Sequence, residues 1–346
     1  MKIIIAGAYA IGTYLAQLLS RSNNDIILMD NSSERLEQIG TDLDLMTLCA
    51  SCTSIADLRD AGVEKSDLFI AVTPDESRNM TSCTLAKALG AKKTVAKIDN
   101  FEYTQPELEE FFHTLGVTSL IYPEMLAATD INNGLKMSWV RQRWDVHGGA
   151  LVMLGIKLRE SSEILNEPLR NISGPNDPYH VVAIKRGDET IIPNGNDELK
   201  LYDLAYFMTT RQYIPYIRKI VGKEHYVDVK NVMVMGGGRT AVRAVKTMPE
   251  YMDVKIIEID TKRCEHLNDL LDEKQAMVIN GDGRDIALLT EEGIKNTQAF
   301  VALTGNAETN ILACLTAKRL GVRKTVAMVE NMDYVSMAES LDIGTI

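Results

Sequence analysis

No apolar run in the 346 residues approaches the roughly 18 that a membrane-spanning helix needs, which excludes an architecture of transmembrane helices. Cysteine is scarce, five residues without regular spacing, so the chain lacks the disulfide framework of a small secreted domain and fits a reducing cytoplasm. Histidine is equally sparse. His113, His147, His180, His225 and His266 are scattered, none falls in a recognisable pair with a carboxylate or lysine, and no hydride-transfer site is visible. Basic residues are outnumbered 37 to 48, and the formal charge of −11 repels nucleic-acid phosphates and anionic lipid alike. Nucleic-acid binding and direct lipid binding are therefore not expected, and no basic helix is available to read DNA.

The remaining composition, 45% hydrophobic and 25% charged, is that of a globular chain with apolar material for two or three domains. Lys2 followed by the weakly polar stretch Ile3 to Leu19, with Ala6 and Ala8 imitating a cleavage site, has the look of a signal peptide. An internal repeat decides against it. Gly62 to Tyr103 aligns without a gap on Gly293 to Tyr334, with 16 of 42 positions identical; average residue usage gives about two or three. Extended backwards with small shifts, the repeat places Ile3 to Gly7 on Val232 to Gly236. A segment copied inside the chain is not a cleaved leader, so the N-terminal stretch reads as strand and helix in both copies.

Each copy alternates short apolar runs with helical periods, the pattern of βαβ units around a parallel sheet. Ile3–Ala6, Ile26–Met29, Leu68–Val72 and Thr94–Ile98 read as strands, matched by Val232–Met235, Lys255–Ile257, Ala299–Leu303 and Thr325–Val329. Leu85–Leu89 and Thr316–Leu320 read as helices closed by Gly90 and Gly321. Between the copies, Pro123–Trp144 reads as one helix leaving the first sheet, followed by strand and turn from Gly148 to about Val221. That stretch holds strands Leu151–Leu158, Val181–Lys185 and Leu204–Met208 and a turn at Pro193-Asn194-Gly195-Asn196. The expected fold is α/β: tandem Rossmann-like domains at 1–122 and 230–346, a joining helix at 123–146, a small β-rich α+β domain at 147–222 and a polar linker at 223–229.

The turn from the first strand to the first helix carries the chemistry. A helix start offers unpaired N–H groups and the positive end of its dipole to phosphate. In the second copy this turn is Gly236-Gly237-Gly238-Arg239-Thr240-Ala241, the G-x-G-x-x-A form of the dinucleotide fingerprint. Gly236 makes the turn, Gly238 lets pyrophosphate reach the backbone, Ala241 permits close packing, and Glu258 is spaced to accept ribose hydroxyls. The acid disfavours a 2′-phosphate, which selects NAD over NADP. The first copy, Gly7-Ala8-Tyr9-Ala10-Ile11-Gly12, keeps the outer glycines and has Asp30 as its acid, but puts Tyr9 where phosphate approaches. A lone glycine loop is equally well a tight structural turn; two in matching context, each with an acid, favour nucleotide binding.

Other candidates carry an ordinary reading beside the functional one. Gly281-Asp282, matching Ala50-Ser51 after the third strand, lines the adenine side of a crevice or is only a turn. Thr73-Pro74 and Thr304-Gly305 follow the fourth strand, at the sheet edge where open α/β folds bind ligands. Lys97, matched by Met328, neutralises a phosphate or stands solvated. Cys49-x-x-Cys52 lacks a second ligand pair at zinc spacing and reads as buried thiols; Cys83 and Cys314, matched in the repeat, read as core, and the acidic Glu107–Glu110 as a solvated face.

In order and duplication the chain resembles the TrkA family of RCK (KTN) regulatory subunits of bacterial Trk potassium uptake systems. The resemblance rests on MKIIIAGAYAIG, LRDAGVEKSDLFIAVT, HVVAIKRG with IIPNG, NVMVMGGGRTA and INGDGRD, and spans the whole chain. It implies two RCK N-terminal domains around an RCK C-terminal domain, with 123–144 as the crossover helix. It further implies NAD or NADH as ligand, with ATP or ADP as alternatives, and no catalysis. The partners implied are a TrkH- or TrkG-like membrane K+ pore and other copies of the chain, in a dimeric or tetrameric ring. The place implied is the cytoplasmic face of the inner membrane, reached through the pore protein. Tyr9 and Ala50-Ser51 depart from the family pattern, leaving altered binding or none at the first crevice. The chain stops at Ile346, before the position matching the Pro123 helix, where a full member continues through another helix and a second small domain. Three rivals differ in class: a nicotinamide-dependent dehydrogenase with substrate held by the β-rich domain, a redox-sensing repressor, and an RCK regulator of another channel or transporter.

Overall fold

Short runs of branched apolar residues, each broken by a glycine turn, build the same sheet twice. The computed structural model of the protein describes residues 1–37, 39, 45–174, 177–187, 189–226, 229–330 and 332–345. The chain divides into two compact units, Met1–Leu126 and Ala127–Ile346.

The first unit alternates β1 (Lys2–Ala6), α1 (Ala10–Ser20), β2 (Asp25–Asp30), α2 (Ser33–Glu37), β3 (Met46–Cys49) and α3 (Ile55–Asp60). It continues with β4 (Leu68–Ala71), α4 (Glu76–Leu89), β5 (Lys93–Lys97), α5 (Glu109–Thr114) and β6 (Ser119–Ile121). The six strands are parallel in the order β3-β2-β1-β4-β5-β6. After Lys2, strand β1 is apolar because it is covered on both faces. Ile4 and Ala6 pack with Cys83 and Ala86, whereas Ile3 and Ile5 pack with Ala16 and Leu28. Helix α4 starts a full two turns before the expected Leu85, capped by Asp75, and ends at Gly90 in the left-handed conformation (φ +119°) that favours glycine.

Helix α6 (Pro123–Lys136) leads into the second unit. There β7 (Gln142–Val146), β8 (Leu151–Lys157), α7 (Leu169–Ile172), β9 (Tyr179–Arg186), β10 (Glu189–Ile191), β11 (Leu204–Thr209) and α8 (Ile214–Ile220) form an antiparallel sheet in the order β10-β9-β11-β8-β7. Two sequence expectations fail here. The helix ends at Lys136 instead of Trp144, and the small sheet begins at Gln142 instead of Gly148. Trp139 and Val140 fit a helical period but are buried in the core of the small sheet with Val152, Leu154 and Phe207, while Trp144 sits on β7 opposite Met153. The segment read as a polar linker is also packed at its start: Lys223 is buried, donating to the Tyr226 hydroxyl at 3.0 Å. Val227 and Asp228 of that linker lie outside the described residues.

The second parallel sheet follows with β12 (Asn231–Met235), α9 (Arg239–Thr247), β13 (Asp253–Glu258), α10 (Thr261–Leu270), β14 (Met277–Asn280) and α11 (Ile286–Glu291). It closes with β15 (Ala299–Ala302), α12 (Ala307–Arg319), β16 (Lys324–Ala327), α13 (Met332–Ser340) and β17 (Gly344–Thr345). Its order, β14-β13-β12-β15-β16-β17, repeats that of the first sheet. Ala128, Ile131 and Leu135 of α6 pack into its core beside Ala241 and Ala244, and Asn132 ties the pair by donating to the Thr247 hydroxyl at 2.8 Å. Among the described residues no helix is long and apolar enough to cross a membrane.

Cys83 and Cys314 occupy matching core positions, each thiol donating to a carbonyl on the neighbouring strand, Val95 and Val326 respectively, at 3.4 Å. Burial pushes both thiols up to about 12. Cys52 and Cys264 are also buried and raised by desolvation, but Cys49, expected to be buried, is exposed at the end of β3. An aromatic disulfide reagent applied to the native protein should therefore modify Cys49 rapidly and the other four only on unfolding. Fast reaction of two or more thiols would contradict these burial assignments.

Candidate nucleotide-binding crevices

In both parallel sheets the strand order reverses between the first and fourth strands, opening a crevice beyond the strands' carboxyl ends. In the first unit the loop Gly7–Gly12 lies at that point; in the second, Gly236–Ala241 does. Gly7 (φ +111°) and Gly236 (φ +95°) adopt a backbone conformation that disfavours a side chain, and a Cβ on either would press within about 3 Å of the backbone that follows the fourth strand.

The helices that start from these loops differ from their neighbours. Helices α3, α4, α10, α11 and α12 each begin with a side chain, Ser54, Asp75, Asp260, Asp285 or Asn306, accepting a hydrogen bond from the first turn. Among the described residues α1 and α9 have no such cap and no acid in the first turn. No capping side chain therefore occupies the position in front of these helix starts, and an anion placed there meets the favourable end of the dipole.

Gly238 is the N-cap of α9 with φ −68° and ψ 179°, a conformation open to any residue. A Cβ built on it meets nothing within 4 Å, so glycine there keeps space clear rather than relieving strain. Tyr9 fills the equivalent place with an exposed ring, over which the Arg35 guanidinium stacks at 4.4 Å.

The two acids do more than await a ribose. Asp30 accepts from the Ala8 amide at 2.8 Å and the Ser32 amide at 2.9 Å; Glu258 accepts from the Gly237 amide at 2.7 Å and the Asp260 amide at 2.9 Å. Each carboxylate thus pins its glycine loop to the second strand while its remaining lone pairs can accept hydroxyls. Around Asp30 there is a further donor, Arg35, at 2.6 Å. Burial works against the Asp30 charge, but Arg35 and the two amides outweigh it and hold the carboxyl below its ordinary range. The counterpart in the second crevice, Arg263, donates to the Gly237 carbonyl at 3.0 Å. The second acid is therefore the more accessible to a ligand.

Gly281 and Asp282 follow β14, with Asp282 held in a 2.7 Å ion pair by Arg284. Arg239 is exposed and Thr240 half-buried at the start of α9; Thr304 and Gly305 follow β15 on the same edge. In the first unit Thr73 is buried and Pro74 exposed after β4, and Lys97 closes β5 in a 2.7 Å ion pair with Asp99. A phosphate near Lys97 has that carboxylate as a competitor.

The TrkA-N domain model matches residues 3–123 and again residues 232–346, each match enclosing one glycine loop and its sheet. The Trk system potassium uptake protein TrkA of Haemophilus influenzae is 32% identical, over the whole of this chain and 75% of its own length. The chain belongs to the TrkA family. The TrkA homologue of Archaeoglobus fulgidus is 30% identical across 99% of the chain and 77% of its own length. Among solved structures, the GsuK RCK domain superposes on 99% of this TrkA-family chain and 72% of its own with a TM-score of 0.69, at 14% identity. The GsuK channel bound to NAD gives the same score over 60% of its length. These likenesses establish the fold: two Rossmann-like parallel sheets of the RCK type, with a small antiparallel sheet between them in sequence.

Sequence patterns alone did not reveal two residues of this family member that shape the crevice floor. Asn79 and Asn310, fully buried on α4 and α12, make the same four hydrogen bonds. Each accepts from the amide and hydroxyl of Thr73 or Thr304 at 2.6 to 3.0 Å, and donates to that threonine's carbonyl and to the end of the fifth strand, at Lys97 or Met328. The clasp fixes the threonine loop at the mouth of the crevice. The signal was present in the repeat, where Asn79 and Asn310 are among the identical pairs.

Proposed function

We propose that this chain is the nucleotide-binding regulatory subunit of a Trk-type potassium uptake system, acting by binding rather than turnover. The observation that carries the reading is the second loop: an uncapped helix start, open space in front of Gly238 and a loop-pinning Glu258. In this reading Gly236, Gly237, Gly238, Arg239 and Thr240 receive the pyrophosphate and Glu258 the ribose. Gly281 and Asp282 line the adenine side, and Thr304 and Gly305 the other end. NAD or NADH suits the acid better than a 2′-phosphorylated nucleotide, with ATP or ADP as alternatives. Support comes from the relatives named as Trk potassium uptake proteins and from the GsuK channel solved with NAD.

In the first crevice Gly7, Ala8, Ala10, Ile11 and Gly12 with Asp30, Thr73, Pro74 and Lys97 offer the corresponding frame. Tyr9 and Arg35 lie across its phosphate and ribose positions. The wild type is expected to bind one nucleotide tightly, and Tyr9→Gly to tighten the second by about tenfold, equivalent to roughly 1.4 kcal/mol. Calorimetric stoichiometry and affinity of the two proteins check this. A Tyr9→Gly protein indistinguishable from wild type would show that the ring is not the obstacle.

Nucleotide regulates only through differential affinity for two arrangements of an assembly. We place the chain in a ring of RCK domains, dimeric or tetrameric, at the cytoplasmic face of the membrane on a TrkH- or TrkG-like pore. Titration with NADH, NAD, ATP and ADP, followed by solution scattering with and without the tightest binder, tests the proposal. Binding without any change in the scattering profile would remove the regulatory mechanism, and steady oxidation of NADH with a substrate would favour a dehydrogenase.

A further inference from the structure

Within the second unit, a cavity of about 410 Å³ lies between the small antiparallel sheet and the edge of the second parallel sheet. Strands β7, β8 and β9 supply one wall, and β16, α13 and β17 the other. Its residues belong to neither glycine-loop crevice.

The lining is strongly one-sided in charge for a chain whose net charge is −11. Arg141, Arg143, Lys157, Lys185 and Lys324 line it, against the acids Asp130 and Glu339. Some of this charge is compensated: Lys185 meets Glu339 at 3.0 Å, Arg143 meets Asp145 at 3.1 Å, and Arg141 is bound by Asp342, which Arg159 also contacts at 3.2 Å. Much is not. Among the described residues Lys157 has no carboxylate within ion-pair distance, and the buried Nε of Arg143 has no hydrogen-bond partner. Lys324 is 8% exposed, its ammonium donating to the Val140 carbonyl at 3.0 Å. The repeat supplies an internal control, because the matching Lys93 is exposed. Burial of Lys324 thus comes from the small sheet and not from the parallel-sheet fold itself.

Such crowding costs stability. Burial, then Arg141, pulls the Lys324 ammonium down to about 7; burial, then Arg141 and Arg159, lowers Lys157 as well. On Asp130 burial raises the carboxyl, weakening the one acid that α6 contributes. Like charges gathered around a cavity of ligand size mark a site that an anion completes. The rim adds two aromatic faces, Trp144 and Tyr202, suited to stacking on a planar ring.

We propose that this cavity binds a small phosphate-bearing polyanion, up to the size of a mononucleotide, and that its occupant bridges the small sheet to the second parallel sheet. The site stands independently of the glycine-loop reading. Two sources share this chemistry, an inorganic polyphosphate and a nucleotide, and the test separates them.

Inorganic pyrophosphate and AMP are titrated calorimetrically into the full chain, into Gly238→Val, and into Lys157→Met and Arg143→Met. The expected result is a saturable site for at least one probe that persists in Gly238→Val, where the glycine-loop site is removed, and that is weakened at least tenfold by each cavity variant. Pyrophosphate as the tighter probe identifies an inorganic occupant and AMP a nucleotide; either supports the site. Trp144 provides a second readout: the tighter probe should change tryptophan emission in wild type and not in Trp144→Phe. Two cavity variants are used so that one surviving as a folded protein suffices. No saturable binding of either probe at millimolar concentration, binding unchanged in the folded cavity variants, or binding abolished by Gly238→Val would each overturn the proposal.

Discussion

Gly238→Val is expected to lower nucleotide affinity by about 100-fold or more at a cost in stability of no more than about 1 kcal/mol, the ordinary cost of a poor helix N-cap. Both halves of that expectation come from one position. The backbone at Gly238 is extended, and a Cβ there meets no atom within 4 Å apart from its own chain neighbours, so the valine Cβ enters open space and its cost to the fold is that of a poor N-cap. The same space is where a pyrophosphate must come to meet the uncapped amides of α9. Displacing it forfeits two or more hydrogen bonds to a charged group, each worth roughly 1.5 to 3 kcal/mol, which corresponds to about two orders of magnitude or more in affinity. Calorimetry measures the affinity and urea unfolding the stability. Unchanged affinity in a folded variant would remove the second glycine loop from the binding site; a stability loss well beyond about 1 kcal/mol would mean that the loop is held by contacts other than those described.

Asn310→Leu is expected to destabilise the second unit by about 3 kcal/mol or more. Leucine is close to isosteric, so little cavity is created, and the cost falls on the polar groups left behind. The Thr304 amide and carbonyl and the Met328 carbonyl all lose their partner. Each buried unsatisfied group costs roughly 1 to 3 kcal/mol. A useful reference is Asn306→Ala, which removes only the α12 cap and should cost about 1 kcal/mol. The measurement is the urea midpoint of the second unit's transition, followed separately from the first because a chain of two compact units need not unfold in one step. A penalty no greater than that of the cap would show that the clasp is not what holds the threonine loop.

The parallel strands were legible because each is buried on both faces, and a run such as Ile3-Ile4-Ile5 has few other uses. The same was true of the glycine loops, whose spacing follows from the geometry of a strand turning into a helix. Helix α4 was recognised only at its last turns, since its start is polar and rests on the Asp75 cap instead of an apolar stripe. Trp139 and Val140 misled for the opposite reason: a spacing that suits a helix also suits a turn and a strand entering another core, and only tertiary packing distinguishes them. Arg35 and Arg263 escaped notice because an arginine on a short polar segment carries no pattern; its meaning lies in what it reaches across the loop. Lys324 carries the same lesson, since in sequence it is a lysine at the start of a strand, like Lys93, and its burial is decided by a sheet more than a hundred residues earlier.

The asparagine clasps also bear on ancestry. A single-domain forebear that already held its threonine loop through a buried asparagine would pass that clasp to both descendants, and both halves have it with the same donors and acceptors. Where the halves have parted is at the mouth of the crevice: a tyrosine under an arginine in one, an empty glycine position in the other. The frame that shapes a pocket was inherited twice, while the groups that admit or refuse an occupant were free to diverge, and one chain came to carry an open copy beside a covered one.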